Sequence, residues 1–214
     1  MGYFSPTGYS DEFPQEVAEL VTLPQVRDHL QLDPDDTSFD DLLNRFVISS
    51  RQVIENTLRR PVVRRSRIFR YTRRPTTQEV VEIAISPVQQ VTDVRYQARD
   101  SQFDSVFSAS VYSVDGLGDN NSLPVTMFPV ATWPSTNGAV LPHPIYPFTV
   151  TAQVGYANPP MPLIQALLQI VADWYLSREA TSAINYNMIP YGARKLLQQY
   201  SLQEPWLISS AALS

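Results

Sequence analysis

The chain has 214 residues, of which 43% are hydrophobic and 17% are charged, and its formal net charge is −5. This composition is typical of a globular protein with a substantial core and excludes an intrinsically disordered chain. The absence of cysteine excludes a disulfide framework, a thiol nucleophile and a thiolate metal site.

Signals for membrane insertion or secretion do not occur in the sequence. No stretch reaches the roughly 18 consecutive apolar residues that a spanning helix requires. The first ten residues lack the basic start and the apolar segment of a signal peptide. We therefore expect no membrane association and a protein that is made in a cytoplasm.

Charge and proline are unevenly distributed along the chain. Residues 1–58 carry 11 acids and 3 bases, residues 59–74 carry eight arginines and no acid, and residues 75–214 carry 10 acids and 5 bases. The 18 prolines outnumber the seven glycines and concentrate in the second half. Because proline removes a backbone donor, those stretches are predicted to be extended loops or edge strands.

The first half of the chain predicts an arm followed by two helices. Residues 1–15 show no period, and we expect an N-terminal arm that becomes ordered only against another surface. Helices are predicted over 22–32, with Thr22 as its cap, and over 36–58, with Asp36 or Ser38 as its cap. The apolar period of 36–58 makes this helix a core partner of a later one.

From residue 61 the apolar period changes from 3.6 to 2, which indicates strands. Strands are predicted over 61–71, 79–86, 90–97, 110–115, 125–128 and 148–156. Together they form an antiparallel β-rich insert over residues 61–156.

Two further helices are predicted over 160–180 and 189–201. The first carries an apolar stripe wide enough to be buried, formed by Leu163, Ala166, Leu167, Ile170, Val171, Trp174 and Tyr175. The order of elements predicts an α+β fold, a helical bundle of about four helices with an inserted antiparallel β-rich region and extended terminal arms. We expect one domain over 16–201, preceded by the arm 1–15 and followed by a docking tail, 202–214.

Several stretches, taken in order, resemble one protein family. They are LVTLPQVRDHLQLD at 20–33, VIENTLRRP at 53–61, ISPVQQVTDVRY at 85–96, VTAQVGYANPP at 150–160, ALLQIVADWYLSREA at 166–180 and IPYGARKLL at 189–197. This series is similar to the head-tail connector proteins of tailed bacteriophages, the adaptor or head-completion proteins that form a ring under the portal. The resemblance covers about residues 20–100 and 148–200.

The resemblance implies a non-enzymatic structural protein of the virion neck, the head-tail interface, that is assembled in the host cytoplasm. Such a protein forms a dodecameric ring that joins the portal protein to a tail-side connector or tail-terminator protein. Double-stranded DNA would pass through the lumen without sequence recognition. The alternatives are a DNA-binding module that uses residues 59–74, a tail terminator, or a gene transfer agent adaptor.

The arginine cluster is the strongest chemical signal, and it suggests two kinds of contact. Its members are Arg59, Arg60, Arg64, Arg65, Arg67, Arg70, Arg73 and Arg74. On a strand over 61–71 both faces mix charge with apolar side chains, which favours an edge or interface strand. Dense guanidinium groups suit DNA phosphates, but pairing with acidic surfaces of neighbouring subunits or proteins is the preferred hypothesis.

No catalytic, metal-binding or cofactor-binding residue is predicted. The acidic residues from Asp33 to Asp41 lack the spacing of a calcium loop and fit a turn before a helix. His29 and His143 are isolated from any nucleophile. In the tail, the apolar residues Trp206, Leu207 and Ile208 follow a proline and would either fold back on the core or dock on a partner; docking, for instance by strand addition, is the preferred hypothesis.

Overall fold

The computed structural model describes residues 3–11, 18–83, 85–97, 104–119, 125–133, 147–177 and 189–201. Within these residues it contains four α-helices and nine β-strands, which confirms the predicted α+β class. The chain divides into a helical unit (Ala18–Val62 with Asn158–Ser214) and a β unit (Met1–Val17 with Val63–Ala157). The chain therefore begins in the β unit and passes from one unit to the other three times.

Four helices form the helical unit: α1 (Leu23–Leu30), α2 (Asp40–Leu58), α3 (Met161–Ser177) and α4 (Tyr191–Gln198). The sequence predicts all four, with slightly wider bounds. Among the residues that the structure describes, no helix combines the length and the apolar character needed to cross a membrane.

Local contacts explain the bounds of α1, which is shorter than predicted at both ends, and of α2, which ends at Leu58 as predicted but begins later. Gln31 and Arg59 adopt left-handed backbone conformations, with φ of 56° and 55°, and each ends its helix. The carboxylate of Asp36 accepts a hydrogen bond from the backbone N–H of Ser38 at 2.8 Å, which holds a turn. The N-cap of α2 is therefore Phe39, and the prediction that Asp36 or Ser38 caps this helix is wrong.

The core of the helical unit includes the packing of α3 against α2. All seven side chains of the predicted α3 stripe are buried. Two edge-to-face aromatic pairs, Phe46 with Trp174 and Phe39 with Tyr175, each have ring centroids 5.9 Å apart. These contacts confirm that α2 and α3 are core partners.

A network of ion pairs holds the segments on either side of α1 and α2. The Arg51 guanidinium lies 2.8 Å from the carboxylate of Glu19, which precedes α1, and 3.2 Å from that of Glu55. Glu55 also accepts a hydrogen bond from the backbone N–H of Val62 at 2.9 Å. Because a buried guanidinium is costly without partners, the network determines where the chain approaches and leaves these helices.

The β unit contains two sheets. The first has the order β1 (Tyr3–Phe4), β4 (Val80–Ile83), β8 (Val125–Pro129), β7 (Tyr112–Asp115). The second has the order β2 (Gly8–Asp11), β3 (Arg65–Tyr71), β9 (Phe148–Val154), β5 (Val88–Gln97), β6 (Asp104–Val106). The described strands pair antiparallel except for β1 and β4, which are parallel.

Side chains from both sheets form one hydrophobic cluster. The first sheet contributes Val81, Ile83, Val125 and Met127, and the second contributes Phe69, Tyr71, Val94, Phe148, Val150, Ala152 and Val154. The hydroxyl of Tyr71 donates a hydrogen bond to the backbone oxygen of Glu82 at 2.9 Å. Burial, together with the Glu82 charge, raises the pKa of Tyr71, so this hydroxyl remains a neutral donor.

The sequence analysis does not predict β1, β2 or β6. Residues Gly8–Asp11 of the predicted arm pair with β3, and Tyr3–Phe4 pair with β4 of the same chain. β1 has two residues and β6 has three, too few to show an alternation, and the four residues of β2 include only one apolar side chain, Tyr9. The sequence suggests that β3 is an edge or an interface strand. Because β2 covers one side of β3 and β9 the other, the first alternative is wrong, and the second stays a prediction.

Gly155 allows the end of β9 to pass close to the residues before β3. Its φ is +96°, and a Cβ at this position would lie 2.1 Å from the backbone oxygen of Val63. Its own N–H donates to the backbone oxygen of Pro87 at 2.9 Å. Only glycine satisfies both the backbone conformation and the close approach.

We expect Gly155→Ala to lower the free energy of unfolding by about 2 kcal/mol or more, because it combines a strained backbone with a steric clash. Urea denaturation followed by circular dichroism measures this loss. Gly8→Ala is the matched control, since a Cβ at Gly8 meets nothing within 4 Å. Equal stability of the two variants would contradict this account of Gly155.

Candidate assembly surface around the arginine-rich strand

β3 carries the centre of the predicted arginine cluster, and its side chains alternate between two faces. Arg67, Phe69 and Tyr71 are buried on one face, whereas Ser66, Ile68 and Arg70 are half-buried on the other. The whole Arg67 residue is only 6% exposed. A guanidinium buried to this extent requires an anion close by.

Asp11 on β2 supplies this anion. Its carboxylate lies 2.5 Å from Nε of Arg67 and 3.7 Å from Nε of Arg65. The ring of Tyr9, on the same strand, lies against the Arg67 guanidinium, whose central carbon is 4.4 Å from the ring centroid. β2 therefore provides both the carboxylate and the aromatic ring that surround Arg67.

Uncharged groups of the N-terminal segment also bind β3. The Arg70 guanidinium donates to the hydroxyl oxygen of Ser10 at 2.6 Å. The backbone N–H of Thr7 donates to the backbone oxygen of Arg70 at 2.8 Å. The arginines that contact this segment through their side chains are thus Arg65, Arg67 and Arg70, three of the predicted subunit or DNA contacts.

Glu79, a second carboxylate, pairs with Arg73 in the turn that follows β3. Two guanidinium nitrogens of Arg73 contact the two Glu79 oxygens at 2.6 and 2.7 Å. The backbone N–H of Thr76 donates to the same carboxylate at 3.0 Å. The hydrogen bonds from Arg73, with help from Thr76, lower the pKa of Glu79 to about 2.

This pair gives the protein a stability term that depends on pH. The folded-state pKa of Glu79 lies below its ordinary value of 4.5, so the pair stabilises the fold fully above pH 4.5 and the effect is lost as the pH falls through about 2. We expect Glu79→Gln to lower the free energy of unfolding by about 1 kcal/mol at pH 7, because the Arg73 side chain is half exposed to solvent, and by progressively less towards pH 2.

Urea titrations of the wild type and of Glu79→Gln across this pH range measure the difference. Asp173→Asn, which alters an exposed carboxylate on α3, is the control for a general loss of charge. A deficit of Glu79→Gln that stays constant with pH would show that the ion pair is not its cause.

The other four arginines of the cluster have separate surroundings. Arg64 is exposed, and its Nη2 donates to the side-chain oxygen of Gln153 at 3.2 Å. Arg74 is half-buried in the β unit, whereas exposed Arg59 and buried Arg60 belong to the helical unit. The eight arginines that the sequence suggests as one cluster are therefore divided between the two units.

The sequence analysis does not identify the residues that pair with the arginines of β3. Asp11 and Arg67 are 56 positions apart, and no local pattern connects them. Tyr9 lies in the same short strand. Glu79 is only six positions from Arg73, so the spacing of this acid is the one signal from which a partner could have been proposed.

The acidic residues before α2 form the predicted turn, although Phe39 rather than Asp36 or Ser38 caps the helix. The Asp33 carboxylate accepts a hydrogen bond from the backbone N–H of Asp35 at 3.0 Å, and Arg27 pairs with Asp40. In the described part of the chain, no group of three or more His, Asp or Glu side chains could hold a metal ion. His29 is exposed on α1, and His143 and the tail residues Trp206, Leu207 and Ile208 lie outside the described residues.

The fold is similar to that of chains in solved gene transfer agent (GTA) particles. A chain in the neck of an empty GTA particle, computed with C6 symmetry, is 18% identical, with a TM-score of 0.57 over 89% of this chain and 97% of that chain. The neck of the native particle, computed with C12 symmetry, contains a chain that is 17% identical over the same shares, also with a TM-score of 0.57.

A chain in the virion of the native gene transfer agent particle is 19% identical, with a TM-score of 0.55 over 89% of this chain and 97% of that chain. No protein-family model matches the sequence, and no curated protein does. At these identities the likeness establishes a shared fold over nearly the whole length of the neighbouring chains.

Proposed function

We propose that this protein is a structural subunit of the neck of a phage-like particle, where it forms a ring that joins the portal to the tail or to the next connector ring. The observation that carries the proposal is the fold, which is similar over 89% of this chain to a chain in GTA necks. The ordered motifs from 20–33 to 189–197 support the same class of protein from the sequence. Its place is the virion neck, after assembly in the host cytoplasm.

A closed ring of identical copies agrees with the C6 and C12 symmetry with which the neighbouring necks were computed. A ring requires two different surfaces on each subunit, one for each neighbour. Arg64 directly precedes β3 and is exposed, so its charge is available for lateral contact with an acidic surface.

We expect the purified protein, alone or with its portal, to form rings that negative-stain electron microscopy detects. Arg64→Glu should reduce the fraction of protein in rings by about tenfold or more, because like charges placed opposite each other cost several kcal/mol. Arg45→Glu, at an exposed position on α2, is the matched charge-reversal control. A wild type that stays monomeric with and without the portal would refute the ring, and normal rings from Arg64→Glu would refute only the role of Arg64.

The tail carries the proposed contact with the portal. Residues 202–214 contain the apolar run Trp206, Leu207 and Ile208 and no charge after Glu204, which suits strand addition to another protein. The opposite side of the ring would meet a tail-side connector or tail-terminator protein. Double-stranded DNA would pass through the lumen without sequence recognition, and the role is structural rather than enzymatic.

We expect deletion of residues 202–214 to leave a folded subunit that no longer co-purifies with the portal protein. Deletion of residues 209–214 alone, which keeps Trp206, Leu207 and Ile208, is the matched control and should bind normally. Circular dichroism checks that both variants fold. Portal binding by the longer deletion at the wild-type level would refute the docking role of the tail.

The surroundings of the arginines favour a neck subunit over a DNA-binding module. Arg65, Arg67 and Arg73 already contact carboxylates of their own chain, so their charge is partly neutralised before any phosphate approaches. A GTA adaptor is the second candidate, because the neighbouring structures come from such particles. Sequencing the DNA inside the particles that contain this protein distinguishes host fragments from a viral genome.

A further inference from the structure

β2 is not joined to β3, its neighbour in the sheet, by a hairpin. β2 ends at Asp11, and the chain then passes through the helical unit before it returns as β3 at Arg65. A strand that is separated from its sheet neighbour by so long a segment can be exchanged between identical copies while the rest of the fold stays unchanged. β1, which is separated from β2 by three residues, would move with it.

The contacts that hold β2 are mainly polar and lie at the surface. No residue from Ser5 to Asp11 is buried, and Tyr9 is 57% exposed. The strand is held by its backbone ladder with β3, by the Asp11 carboxylate and by the hydroxyl of Ser10. Because all of these groups belong to the strand itself, the same strand of a second copy would make the same contacts.

The surface of β3 that receives this strand has defined chemical requirements. Without Asp11, the nearly buried guanidinium of Arg67 would lose its carboxylate, and β3 would present a row of unpaired backbone groups. An extended segment with an acidic side chain opposite Arg67 fits this surface. Residues 1–17 carry three acids and no base, which complements the eight arginines of 59–74.

We propose that in the assembled ring Gly8–Asp11 of one subunit pairs with β3 of its neighbour, in place of the neighbour's own β2, so that Asp11 of one copy pairs with Arg65 and Arg67 of the next. This inference rests on the proposed ring. In a closed ring every subunit gives its β2 to one neighbour and receives the β2 of the other neighbour, so β3 is covered in every subunit. In the single chain that the structure describes, β2 pairs with β3 of the same chain.

The chain has no cysteine, so a pair of introduced cysteines can report where the strand lies. Gly8 and Arg70 are partners across β2 and β3, and a Cβ at Gly8 meets nothing within 4 Å. The double variant Gly8→Cys with Arg70→Cys is assembled, treated with a short bismaleimide and analysed on a denaturing gel. Ser113→Cys with Phe128→Cys joins exposed partners on β7 and β8 and is the control for a link within one subunit.

Exchange predicts covalent multimers as the main product of the Gly8 and Arg70 pair in rings, and internally linked monomers from the control. Internally linked monomers from assembled rings of the test pair, or no link at all, would overturn the exchange and leave the ring intact. Failure of the wild type to form rings would overturn the proposed function, and the exchange with it. If the test variant does not fold, Ser10→Cys with Ile68→Cys, the next partners on that face, gives the same readout.

Discussion

The ion pairs between Asp11 and the guanidinium groups of Arg65 and Arg67 allow the arginine-rich segment to be part of a packed sheet. The alternation of β3 places Arg67 on the same face as Phe69 and Tyr71, which belong to the core of the β unit. A guanidinium there costs several kcal/mol unless a carboxylate lies close to it. Because that carboxylate comes from the first eleven residues, the register of β3 and the docking of the N-terminal strand depend on each other.

The helical unit also contains a nearly buried arginine whose charge is balanced by carboxylates. Arg51 is nearly buried on α2 and lies between Glu19, from the segment before α1, and Glu55, one turn further along α2. In both units an arginine fixes a segment that lies far away in the sequence. The acidic residues 1–58 therefore neutralise part of the charge of the basic residues 59–74 within the subunit. A segregation of charge along a sequence does not by itself indicate contacts between subunits.

The sequence predicts those parts of the fold that rest on a long period. α3 is predicted correctly because its stripe repeats over about four turns, and all seven side chains of that stripe are buried. β2 is missed because Tyr9 is its only apolar residue, so that it shows no alternation, and because its stability comes from β3, which lies more than fifty residues away. The arginine cluster can be recognised in the sequence, but the partner of each arginine, such as Asp11, is determined by tertiary contacts. The division of Arg59 and Arg60 from the other six also depends on how the chain folds.

An exchanged strand would contribute specificity to assembly more than affinity. Its contacts with β3 are the same within a subunit and between subunits, so the exchange itself changes the free energy little, and other surfaces must drive association. The helical unit exposes large apolar side chains, Met161 at 69%, Leu176 at 77% and Tyr191 at 76%, whose burial against a neighbour would supply hydrophobic free energy. Before assembly, β2 covers β3 of its own subunit and so prevents β3 from pairing with unrelated chains. Apolar surface would then determine whether copies associate, and the match between Asp11 and Arg67 would determine that they associate in the correct register.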